Sequence, residues 1–335
     1  MAEIVCALAC SHGPLLATPP EMWDLRAGAD RQNPRHWYRG RQMDYASLLA
    51  ERAPGFQQEA SLAQRERRYA ACQRALDEMA RRFREARADV AIILGNDQRE
   101  VFREDLTAAF TVYAGEQIPN IPLSEEQVRR LPPGVAIAEE GHCPPGGAVY
   151  PGARDTAESL VSALVGGGFD VAVSYRLPGG ADRQHGIPHA FGFIYRRIME
   201  DAPPPSVPLF TNVGVPPNRP LTRRCLQVGH ALTKAIDALP ADLRVAVIAS
   251  GGFTHFVVDE ELDRRILDAM GDGDEAALAA VPESYFEGNT CEIKSWYPLV
   301  ALMNDLGRRM ELIDYVPCYR TEAGTGSGMA FASWQ

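Results

Sequence analysis

Short apolar runs recur along the chain, each ended by glycine or polar residues, and between them apolar positions fall three and four apart. The runs at 4–9, 90–94, 108–113, 169–174, 207–212 and 245–249 predict strands. They show little polar alternation, the pattern of strands covered on both faces, as in a parallel sheet. Leu62, Tyr69, Cys72, Leu76, Met79 and Phe83 predict the inner face of one helix, and the RERR run beginning at Arg65 its solvated face. Cys225, Val228, Leu232, Ile236 and Leu239 do the same for a helix over 221–239. Asp155 and Glu158 have the spacing of a capping box for a helix that turns Leu160, Val161, Leu164 and Val165 inward. The segment 119–152, dense in proline and glycine and ending HCPPGGAVYPG, predicts loop. Alternation of helix and strand predicts an α/β fold: one large domain over 1–335, its central, mostly parallel sheet flanked by helices on both faces. Residues 19–88 read as an inserted loop-and-helix cover.

Composition narrows the class. With 46% hydrophobic and 23% charged residues the chain builds a sizeable core, and a net charge of −10 argues against nucleic acid or an anionic membrane as partner. No apolar run reaches transmembrane length, and the first residues lack the basic start of a signal peptide. Seven cysteines, an odd number without a CxxC pair, argue against a disulfide framework and suit a reducing cytoplasm. These features predict a cytoplasmic enzyme or binding protein.

Chemistry gathers at the strand exits, where open α/β sheets bind their ligands. His12 follows the first predicted strand, Asp97 and Gln98 the second, and His255 follows Ser250-Gly251-Gly252 at the end of the 245–249 run. His255 is a candidate acid or base, or else a hydrogen-bonded loop residue. His185 and His189 are four apart, but Gly186 and Pro188 oppose a helical zinc pair there. Glu292 has two readings: a carboxylate aimed into a site, or the partner of Asn289 in a capping box. A ferrous site wants two imidazoles and one carboxylate with open positions beside them, and His12, the polar exit at Gln98 and Glu292 offer such a set.

In that order, CSHGP at His12, ILGNDQREVF at Gln98, RQHGIPHAFGF at His185, ASGGFTHF at His255 and NTCEIKSW at Glu292 resemble the class III extradiol ring-cleavage dioxygenases. This is the family of the protocatechuate 4,5-dioxygenase beta subunit, and the chain looks most like its 3-O-methylgallate and gallate type. The resemblance implies Fe(II) held by His12, Gln98 and Glu292, with His255 taking a proton from a catechol- or gallate-type aromatic acid. It implies that His185 hydrogen-bonds oxygen or substrate, that dioxygen is the second reactant, and that the enzyme is a homo-oligomer. Gln98 departs from the family, which has histidine there; an amide oxygen is a weaker donor than imidazole for Fe(II), and Asp97 is the neighbouring alternative. Other metal-dependent oxidation or hydrolysis on the same scaffold, or a silent partner subunit, are the competing expectations. The arginines and aromatics between Arg26 and Tyr45 suit either contact with an aromatic acid or a solvent-facing lid.

Overall fold

The structure is a computed structural model that describes residues 2–104, 106–132, 134–179 and 186–335. Nine strands form its main sheet: β1 (Glu3–Cys10), β2 (Val90–Asn96), β3 (Phe110–Tyr113), β4 (Ala172–Ser174), β5 (Ser206–Thr211), β6 (Arg244–Ser250), β7 (His255–Val257), β8 (Met310–Tyr319) and β9 (Thr325–Trp334). They lie in the order β7-β9-β1-β6-β2-β5-β3-β4, with β8 pairing the other edge of β9. The four central strands, β1, β6, β2 and β5, are parallel, as the unbroken apolar runs predict. The margins are mixed. β8 and β9 form a long antiparallel hairpin, and β9 also runs antiparallel to β1 and β7.

Side chains alternate across the strands, so each strand feeds two cores. Ala7, Ala9, Ile92, Leu94, Val245 and Val247 face one core, together with helices α5 (Arg154–Gly166), α7 (Thr222–Asp237), α8 (Glu260–Asp272) and α10 (Tyr297–Asp305). Leu8, Cys10, Ala91, Ile93, Ala246 and Ile248 face the other, under α3 (Leu62–Ala86) and α6 (His189–Phe193). The remaining helices are α1 (Trp23–Gln32), α2 (Tyr45–Glu51), α4 (Glu125–Arg130) and α9 (Glu275–Ala279).

Several local expectations fail, each for a tertiary reason. Arg65, in the run predicted to be solvated, is buried: it donates to the Arg320 carbonyl at 2.9 Å and pairs with Asp24, while Leu62 at the same end of α3 is exposed. Arg68 leans inward onto Glu59. Asp155 does not cap α5; Ala153 stands at the cap without a side-chain bond, and Val165 is exposed on the outer face. The segment 119–152 is not all loop. It holds α4, with a complete capping box from Ser124 and Gln127, and Gln117–Asn120 pairs with Ala148–Pro151 as a two-stranded ribbon. The strand predicted over 169–174 is only β4, Ala172–Ser174.

His230 shows how charge ties the outer helices together. Its Nδ1 meets Asp305 at 2.9 Å and its Nε2 meets Glu275 at 3.0 Å, so one imidazolium links α7, α9 and the end of α10. Burial, the largest influence, lowers its pKa, but the two carboxylates outweigh it and the net shift is upward. A pKa raised on folding adds stability that is complete below the unfolded value near 6.5 and fades as the pH climbs through the folded value. His230→Gln is therefore expected to lower the melting temperature most at pH 6 and least at pH 9, as thermal melts across that range would show. An equal loss at every pH would mean the contact matters only through packing.

Candidate active site

Three parallel strands deliver their exits to one place. β1 ends at Cys10 and hands over to Ser11 and His12; β6 ends at Ser250; and β2, between β6 and β5, ends at Asn96, just before Gln98. Glu292 reaches the same place from the irregular turn Gly288–Ser295. The two glycines after β6 make room for it. A Cβ on Gly251 would lie 2.2 Å from the Glu292 carbonyl, and one on Gly252 would lie 2.7 Å from His255 Cε1 and 3.1 Å from Glu292 Oε2. A side chain at Gly251 would collide with the Glu292 main chain, and one at Gly252 with the His255 ring and the Glu292 carboxylate.

The capping-box reading of Glu292 is overturned. Glu287, not Asn289, precedes the turn, no side chain caps it, and the Glu292 carboxylate is buried at 3% exposure. Its Oε1 accepts from Gln98 Nε2 at 2.7 Å and lies 3.4 Å from His255 Nε2; its Oε2 accepts from Gly252 N at 3.1 Å and lies 3.2 Å from His12 Nε2.

The hydrogen bonds decide which nitrogens carry protons. Ser250 Oγ donates to the Ala190 carbonyl at 2.6 Å, so it accepts from His12 Nδ1 at 2.9 Å. His12 therefore carries its proton on Nδ1 and turns a lone pair, on Nε2, toward Glu292. That Nε2 is buried and has no hydrogen-bond partner. His255 repeats the arrangement: Nδ1 donates to the Phe253 carbonyl at 2.5 Å, leaving its Nε2 as the basic nitrogen. Burial lowers the His12 pKa, more than Glu292 raises it, and keeps the ring neutral. Burial acts to raise the Glu292 pKa, but the net shift is downward, and the N–H bonds from Gln98 and Gly252 suit an ionised carboxylate. Two imidazole lone pairs thus converge on one carboxylate, an arrangement of acceptors that a cation would complete.

That donor set fits a metal ion. Among the described residues no three His, Cys, Asp or Glu side chains are spaced as a complete metal site, and the third candidate donor beside His12 and Glu292 is of another type. Gln98 is the amide beside them. Its Nε2 faces Glu292 and its Oε1 lies toward Gly214; half a turn of the amide presents oxygen instead. Asp97 is not available. Its carboxylate accepts the backbone N–H groups of Glu100, Val101 and Phe102, and burial, followed by Glu100, lifts its pKa to about 6.

His185 lies outside the described residues. Its companion His189 begins α6 and was missed as a site residue. Glu100 Oε1 bonds its Nδ1 at 2.5 Å and Glu100 Oε2 its backbone N–H at 2.9 Å. Burial lowers the His189 pKa, but Glu100 outweighs it and lifts it to about 9, so the ring stands as a cation 4.9 Å from His12, edge to face. His142, also missed, packs 5.9 Å from His189, and burial presses its pKa down to about 4. No local signal marks either one, since both depend on a cavity built from distant segments.

These groups open onto a cavity of about 690 Å³. His12, Gln98, His189, His255 and Glu292 form its polar floor; Phe193, Phe256, Leu131, Pro132 and Val135 give it apolar walls. One wall is the α4 region that the sequence reading took for loop, and α1 adds Arg26.

Fold and site together define an α/β protein with a histidine–carboxylate centre at the strand exits. The family described as catalytic LigB subunit of aromatic ring-opening dioxygenase matches residues 62–323, most of the chain, and the protein belongs to it. It is 33% identical over 103 residues to a 2,3-dihydroxyphenylpropionate/2,3-dihydroxicinnamic acid 1,2-dioxygenase of Comamonas testosteroni, covering 31% of this chain and 30% of that one. It is 41% identical over 58 residues to a gallate dioxygenase of Pseudomonas putida, covering 15% of this chain and 17% of that one. The matches thus span less than a third of the length of these relatives. Among solved structures, an uncharacterized protein, JW3007, of Escherichia coli K12 aligns over 77% of this chain and 91% of its own at 16% identity and a TM-score of 0.44.

Proposed function

We propose that the protein opens the ring of a catechol- or gallate-type aromatic acid with dioxygen, beside its adjacent hydroxyls, using ferrous iron held by His12, Gln98 and Glu292. The observation that carries this reading is the pair of imidazole lone pairs aimed at one buried carboxylate on the floor of an aromatic-walled cavity. When bound, the iron supplies the Lewis acidity that lowers the hydroxyl pKa and the electrons that dioxygen activation requires. The chain supplies the rest. Phe256 and Phe193 line the walls where an aromatic ring would lie and keep water away from it. His255, its Nδ1 proton tied to the Phe253 carbonyl, takes the hydroxyl proton on Nε2. The His189 cation, held by Glu100, offsets negative charge that builds up beside His12. No role rests on His185 here beyond the resemblance, which gives it a hydrogen bond to oxygen or substrate. The reading extends to a cytoplasmic homo-oligomer; seven buried cysteines, none in a disulfide, suit a reducing compartment.

Gln98 supports a second reading, another metal-dependent oxidation or a hydrolysis, because an amide is a poor ligand for Fe(II). One experiment separates the two. Wild type and Gln98→His, each loaded with ferrous iron and desalted, are given gallate, 3-O-methylgallate, protocatechuate and catechol under air. The expected result is a yellow ring-opened product from wild type, and more iron retained by Gln98→His with ring opening kept. Iron gained but ring opening absent from both proteins would favour the second reading.

A further inference from the structure

We propose that Arg26 anchors a carboxylate on the aromatic substrate, and so selects acids over neutral phenols of the same shape. The inference rests on the ring-opening reading of the cavity and names the group that its far end would hold.

Arg26 lies on α1 and lines the same cavity as His12, His255 and Glu292, yet it is only 8% exposed. Its Nε is buried with no hydrogen-bond partner, and among the described residues no carboxylate pairs with it. A buried charge is normally paired, because leaving water without a partner is costly. The nearby carboxylate, Asp30, is already committed. Asp30 accepts from Arg320 Nε at 2.8 Å, from Arg320 Nη2 at 3.1 Å and from Thr325 Oγ1 at 2.7 Å. Burial first, and the Arg320 charge second, press the Arg26 pKa down to about 10, with Asp30 only partly offsetting them; the guanidinium still carries its charge at neutral pH.

Position supports the same role. Arg26 and Arg320 each lie 5.4 Å from the centre of the Phe256 ring, so that ring packs against two cations of which only one is neutralised. Phe256 in turn lies 5.5 Å from the His255 ring. Through Phe256, the Arg26 guanidinium carbon is thus within about 11 Å of the His255 imidazole centre. A benzoate whose carboxylate meets one group while its hydroxyls meet the other fits inside that upper limit. Three more arginines line the cavity: Arg99 and Arg130 are exposed and face a glutamate, Glu104 or Glu126, and Arg103 is half-buried with a contact of its own. A planar guanidinium can grip both oxygens of a carboxylate at once, which a lysine cannot.

The test compares 3,4-dihydroxybenzoate and gallate with their methyl esters, which keep the ring and lose the charge. Ferrous-loaded wild type, Arg26→Met and Arg26→Lys are assayed for kcat/KM, and binding of the four compounds to metal-free protein is followed by calorimetry. Wild type is expected to prefer the acids. Arg26→Met should lower the acid-to-ester ratio by about 30-fold or more, mainly through KM, since losing one partner of a buried charge pair has an effect of that order. Arg26→Lys should fall between. Acids and esters weakened alike in Arg26→Met, with a lower melting temperature, would mean that Arg26 only packs against Phe256 and would overturn the proposal. So would an acid preference unchanged by either substitution. Should none of the four be opened while the acids still bind metal-free protein through Arg26, the anchor stands and the ring-opening reading falls.

Discussion

Glu292→Ala is expected to abolish the uptake of ferrous ion and to lower ring-opening turnover by on the order of 10³-fold, equivalent to about 4 kcal/mol. The carboxylate is the one acceptor toward which His12 and His255 both turn a lone pair, and it also takes N–H bonds from Gln98 and Gly252. Removing it leaves two donors without an acceptor and the His12 lone pair without the charge that draws a cation beside it. Metal analysis of desalted protein reads the first effect directly, independent of any substrate. Iron bound as tightly as in wild type, with turnover intact, would remove Glu292 from the centre and with it the proposed reaction.

His255→Ala is expected to leave iron bound and to reduce kcat by about 10² to 10⁴-fold, the range that a positioned acid–base group supplies. The contrast with Glu292 is the informative part. Both side chains stand on the cavity floor, 3.4 Å apart, but His255 is anchored through its other nitrogen to the Phe253 carbonyl, which leaves Nε2 free to take a proton. If iron leaves together with activity, His255 is a ligand and the proton must go elsewhere. If turnover is normal, the base has been misassigned.

Much of the sheet was legible because its central strands advertise themselves. The run at 245–249 is apolar on both faces, and β6 lies between two parallel neighbours, β1 and β2, with helices on either side. The α7 face over Cys225, Val228, Leu232 and Ile236 is equally plain, because helical spacing and burial agree. Legibility fails where a residue answers to something far along the chain. Arg65 looks solvated until the Arg320 carbonyl, 255 positions away, arrives to accept its proton. Glu292 matches a capping box in spacing, yet the space left by Gly251 and Gly252 and the two histidines beyond draw it inward. The ribbon strands Gln117–Asn120 and Ala148–Pro151 each contain proline, which hides a strand from any propensity argument. His189 stood in the sequence as half of an implausible zinc pair, and only Glu100, 89 positions upstream, reveals its charge.

Among the described strands β7 pairs with β9 alone, His255 opposite Ser327. In the order of synthesis β9 follows every other strand of the sheet, and it also pairs with β1 up to Cys10 and bonds Ser11, so the exit that carries His12 and the strand that carries His255 both wait for the same late partner. One late hairpin, β8 and β9, therefore braces both sides of the cavity floor at once.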